Sequence, residues 1–74
     1  MQFFRIYAKF QDIKTFKPLD ISRGAPVTNL IHATLINSEE IGKAKDYLKL
    51  VKQDQPEILL QIREAETNKT IFSI

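Results

Sequence analysis

The first ten residues, MQFFRIYAKF, constrain the fold more than any other stretch of the chain. In an extended strand successive side chains point to opposite faces. Phe4, Ile6, Ala8 and Phe10 then share one side, while Phe3, Arg5, Tyr7 and Lys9 share the other. The first side is wholly apolar and must be covered. The second interleaves aromatic rings with cations, and is the one surface whose composition points to a partner.

What can cover the apolar side is limited by size. The chain has 74 residues, enough for a single domain spanning residues 1–74 with a small core. It has no cysteine and one histidine, which excludes disulfides and a Cys/His zinc site as sources of stability. With 43% hydrophobic and 27% charged residues, it is too apolar for a disordered segment. Packing or self-association must therefore supply the stability. The opening stretch is interrupted by Arg5 and Lys9 and has no small-residue cleavage site, so it does not read as a signal peptide. No apolar run is long enough to span a bilayer, and the expected location is the cytoplasm. The formal net charge of +2 does not by itself argue for nucleic acid, but its distribution is uneven. Residues 1–29 carry +3 and residues 30–74 carry −1.

The first strand is expected over Gln2–Phe10, with a turn at Gln11-Asp12. A second strand is expected over Lys14–Ile21. Pro18 lacks an N–H for a ladder and places that strand at a sheet edge, or breaks it. Ser22-Arg23-Gly24-Ala25-Pro26 reads as a loop. Val27–Ile36, rich in β-branched residues, reads as a third strand with apolar groups on both faces, hence an interior one. The period then turns helical. Asn37 or Ser38 can cap, and Glu40 completes a capping box with Asn37. Ile41, Ala44, Leu48 and Val51 form an apolar stripe, widened by Tyr47 and Leu50. Pro56 stops the helix near Asp54 or Gln55. Glu57–Glu64 reads as a strand with Ile58, Leu60 and Ile62 inward and Leu59, Gln61 and Arg63 outward. Residues 65–69 turn the chain, with Asn68 suited to a left-handed position, and Thr70–Ile74 returns as a last short strand.

The resulting order is β-β-β-α-β-β. A single helix covers only one face of a sheet, so the expected fold is α+β: a small four- to five-stranded sheet with one amphipathic helix packed on one face. The arrangement loosely resembles a β-grasp, with the third strand as an addition. The open face would carry Phe3, Arg5, Tyr7 and Lys9, joined by Leu59, Gln61 and Arg63 if those strands lie side by side.

No catalytic constellation is present. His32 has no Cys, Asp or Glu near it in sequence and reads as a semi-buried structural histidine. Glu39 and Glu40 diverge on a helix start, where the dipole accounts for them. Gly24 and Gly42 form no phosphate loop. The chain is therefore expected not to be an enzyme, to use no cofactor and to hold no metal.

Phe16-Lys17-Pro18-Leu19-Asp20-Ile21 followed by Val27-Thr28-Asn29-Leu30-Ile31-His32-Ala33-Thr34-Leu35 is similar to a pattern in short proteins of prophages, plasmids and conjugative elements of low-GC bacteria. Those proteins share an opening strand of the FRIYAKF kind and a Glu-rich helix start. The resemblance implies an accessory protein of a mobile element. It carries over no activity and no functional residue.

The expected function is that of a small binding or accessory protein acting through protein–protein contacts or self-association. The candidate binding residues are Phe3, Arg5, Tyr7, Lys9 and Lys17, with a sheet edge as a second route of pairing. The alternative is a weak single-stranded nucleic-acid binder using Arg5, Tyr7, Lys9 and Lys17, in which rings stack on bases and cations follow phosphates. No membrane and no small-molecule substrate is expected.

Overall fold

The structure, a computed structural model, describes residues 2–74. It is an α+β fold in which one helix packs on one face of an antiparallel sheet. The strands are β1 (Phe3–Lys9), β2 (Lys17–Asp20), β3 (Ala25–Pro26), β4 (Leu35–Asn37), β5 (Leu59–Glu64) and β6 (Thr70–Ser73); α1 (Ile41–Asp54) lies between β4 and β5. The sheet order is β3-β2-β1-β5-β6, with β4 also paired to β1. Every pairing is antiparallel.

β1 is the spine of the sheet. Its alternation is realised on the helix side, where Phe4, Ile6 and Ala8 are buried. β5 runs alongside in unbroken register from Phe4↔Glu64 to Lys9↔Leu59. Ile58, Leu60 and Ile62 face inward with them, and Ala44 and Leu48 of α1 close over the top. Ile6, Leu48, Leu60 and Ile62 are the largest fully buried side chains, each stabilising the fold by roughly 1.5–3 kcal/mol through burial.

The other edge of β1 is divided. β2 pairs with its later half, Tyr7↔Pro18 and Ala8↔Lys17, and β4 with its earlier half, Phe3↔Asn37 to Arg5↔Leu35. Residues 21–34 are an excursion between two segments of one strand line. Thr34 joins the segments: its N–H donates to the Leu19 carbonyl at 3.0 Å, and its Oγ1 accepts from the Ile21 N–H at 2.8 Å.

The expected third strand over Val27–Ile36 is corrected here. Only its end is strand; Leu30–His32 is a 3-10 turn. The Asn29 side chain accepts from the Ile31 N–H at 3.1 Å, and this local bond diverts the backbone from a ladder despite the β-branched composition. Leu30 and Ile31 are exposed rather than interior. His32 is exposed as well, where a semi-buried position was expected. β2 is shorter than expected. Pro18 sits one strand in from the edge, and its carbonyl accepts from the Val27 N–H at 2.9 Å. The two polar groups of a residue in an antiparallel strand point the same way, so the missing N–H of Pro18 faces the two-residue β3.

The helix entry follows the expected capping box. Asn37 Oδ1 accepts from the N–H groups of Glu39 and Glu40, and Glu40 Oε1 accepts from the Asn37 N–H at 2.9 Å. A 3-10 turn at Ser38–Glu40 leads into α1. Ile41, Tyr47 and Val51 pack against the core, but Leu50, expected in the stripe, is 65% exposed. Lys52 donates to the Ile58 carbonyl and ties the helix end to the approach of β5. Asn68 adopts the left-handed conformation, φ 61°, that its turn requires.

Candidate binding face

Among the described residues only the helix side of the sheet has a second layer, so β1 presents Phe3, Arg5, Tyr7 and Lys9 on the open side. Register brings the β5 neighbours onto the same side: Arg63 opposite Arg5, Gln61 opposite Tyr7, and Leu59 opposite Lys9. β4 adds Leu35 beside Arg5, and β2 adds Pro18 beside Tyr7. Phe3, Leu35 and Leu59 are each more than two-fifths exposed.

Tyr7 differs from the expectation of an exposed ring. It is only 8% exposed although no layer covers it. The Arg63 guanidinium lies 4.3 Å from the centroid of the Tyr7 ring and 5.2 Å from that of Phe16. Arg63 Nε donates to Gln61 Oε1 at 2.9 Å, which fixes the lid in place. A cation on a ring face is favourable by about 0.5–1 kcal/mol at a partly exposed site. The arrangement leaves no free Tyr7 face on which a base could stack.

Arg5 and Arg63 are direct cross-strand partners, a position in which like charges repel. They turn apart. Arg5 Nη1 donates to the Ala65 carbonyl at 3.3 Å, while Arg63 leans over Tyr7. Arg5 Nε is buried and has no hydrogen-bond partner among the described residues. Lys9 is half-buried on the same side. Lys17 is not brought to this face: it pairs with Ala8, whose side chain points to the helix, so the four β1 residues and Lys17 lie on opposite sides of the sheet.

By alternation, Asp20 is the one carboxylate among the described strand residues on the open side, and it is already engaged. Its Oδ1 accepts from the Ser22 N–H at 3.0 Å and the Ser22 hydroxyl at 2.6 Å, and its Oδ2 lies 3.6 Å from Arg23 Nε. The Ser22 hydroxyl, with smaller contributions from backbone N–H groups and Arg23, holds its carboxyl below the usual range.

Two concavities flank this framework. A hollow of about 290 Å³ on the open side is lined by Phe16, Leu59, Gln61, Ser73 and Ile74. A cleft of about 230 Å³ on the helix side is lined by Phe10, Leu19, Tyr47, Val51, Gln55 and Ile58. Neither lining includes a histidine, carboxylate, lysine or arginine. Among the described residues no cluster of His, Cys, Asp or Glu could hold a metal ion, and no helix is long and apolar enough to cross a membrane.

Sequence reasoning missed Leu35, Phe16 and the lid role of Arg63. Leu35 reached the face through the splice at Thr34, and no sequence signal marks that splice. Arg63 was legible as an outward residue of β5, but its seat on Tyr7 depends on register. Comparison with known proteins finds no match: no family model, no curated protein and no solved structure.

Proposed function

We propose that the chain is a small, non-enzymatic binding protein, an accessory protein of a mobile genetic element as the resemblance of its pattern implies, acting through protein–protein contact at the open face of its sheet. The observation that carries this reading is the open face itself: Phe3, Leu35 and Leu59 stay exposed around a row of cations on the side of the sheet that the helix does not cover. Aromatic residues and arginine are the types enriched at protein interfaces, and Phe3, Arg5 and Arg63 supply them here. The covered Tyr7 ring weighs against the nucleic-acid alternative, because stacking on bases was to be its main contribution.

The test is to select binders from an unbiased displayed library of 12-residue peptides and map each by amide chemical shifts. Shifts concentrated at Phe3–Lys9, Leu35–Asn37 and Leu59–Arg63, lost in Leu35→Ser/Leu59→Ser, are expected. Shifts concentrated on α1 or on residues 22–33 would overturn the reading.

A further inference from the structure

We infer that the partner of this face is an acidic protein segment, one that places two or more carboxylates among large apolar side chains. This rests on the reading of the open face as a protein-binding surface and specifies its chemistry.

Charge is the first ground. Arg5, Lys9 and Arg63 share the face, and Asp20 is occupied by Ser22 and Arg23. An isolated fold gains nothing by setting Arg5 directly opposite Arg63. A carboxylate placed between them offsets the repulsion. Charge-assisted bonds of this kind are roughly twice as strong as neutral ones. Both guanidiniums are already held, Arg5 by the Ala65 carbonyl and Arg63 by Gln61 and the Tyr7 ring, so little side-chain freedom remains to be lost on binding.

The apolar part of the segment follows from what surrounds the cations. Phe3 and Leu35 lie at one end of the row and Leu59 at the other. Beside Leu59 opens the hollow of about 290 Å³, large enough to take an apolar side chain. A purely acidic chain would leave these groups in water. Charge disfavours a second copy as the occupant, since direct face-to-face pairing sets three cations against three.

The test extends the same peptide library to composition. Binders are selected on the wild-type protein and measured against Arg5→Gln/Lys9→Gln. Lys9→Glu serves as a second variant that touches neither guanidinium, and thermal melts confirm the fold of both. Arg63 is left in place because it covers Tyr7. The expected consensus holds at least two Asp or Glu among apolar residues. Its affinity should fall at least 10-fold in either variant and weaken as salt rises. Open-face binders without acidic enrichment, bound equally by the variants, overturn this inference and leave the protein-binding reading standing. Binders that map elsewhere, or no enrichment at all, overturn both. Twelve-residue oligothymidylate bound more tightly than any selected peptide also overturns both, and assigns the cations to phosphates.

Discussion

The two edges of β1 are built in opposite ways. Along one edge β5 runs antiparallel for the length of Phe4–Lys9, in one unbroken register, and β6 continues the sheet beyond it. Along the other edge two short strands share the work, separated by residues 21–34. The first edge is held by backbone ladders and by the buried side chains of Ile62 and Leu60. The second pairs with β1 in two short pieces, and between those pieces side chains bond to backbone: Thr34 to Ile21, Asn29 to Ile31, Asp20 to Ser22. The continuous edge is therefore the stable part of the sheet, and the spliced edge is where loop residues were accommodated and where Leu35 was delivered to the open face.

The sharpest break of this comparison is a pair of core truncations. Ile62→Ala on the continuous edge should cost about 4 kcal/mol, and Ile36→Ala on the spliced edge about 2 kcal/mol, because a looser surround collapses more readily into the space left behind. Against a total of about 5–15 kcal/mol, the former leaves a marginal protein. Urea unfolding of both variants gives the difference; equal costs would mean that the two edges are packed alike. Next in size is Thr34→Val. It keeps the shape but removes the oxygen that accepts from Ile21, at a cost of about 1–2 kcal/mol. Amide exchange should speed at Ile21 while the amides of β5 stay protected. Matching acceleration in β5 would show that the splice is not a local device.

The same contrast explains what could be read from the chain. β1, α1 and β5 were legible because each follows one period for long enough to show it, and because a single buried face sets that period. The Asn37–Glu40 box and the left-handed Asn68 were legible because their chemistry is local. The spliced edge was not. Val27–Ile36 has the composition of a strand, yet Asn29 and Thr34 spend their polar atoms on neighbouring backbone, and only tertiary geometry decides between that and a ladder. Of the candidate face, Phe3, Arg5, Tyr7 and Lys9 follow from alternation alone. The loss of Lys17 to the other side follows from a register of one residue, Ala8↔Lys17, that no pattern within β2 specifies.

Two smaller effects sharpen the comparison further. Gly24 turns the excursion at φ +62°, with open space where a Cβ would lie. Gly24→Ala should cost about 1 kcal/mol through the backbone alone and shorten protection in the excursion but not in β5. Arg63→Met removes the cation from Tyr7 and should cost about 0.5–1 kcal/mol. In a Tyr47→Phe background, where Tyr7 is the only tyrosine, acrylamide should quench its fluorescence more strongly after the substitution. Unchanged quenching would mean that something other than Arg63 buries the ring.

The smallest effect concerns pH and belongs to the spliced edge alone. Asp20 accepts from the Ser22 hydroxyl and N–H and lies beside Arg23, all of which favour its ionised form in the folded state. Its folded pKa is thus below its unfolded one, near 3.9. Such a group contributes stability above the unfolded value and loses it as pH falls through the folded value. Asp20→Asn should therefore flatten part of the decline in stability below about pH 4 and change little of its course near neutrality. The loss should appear first as faster exchange at the Ser22 and Arg23 amides, which close the turn after β2, with the β5 amides unaffected. If the acid limb of the curve is identical in the variant, the carboxylate does not hold this turn, and the spliced edge depends on Thr34 instead.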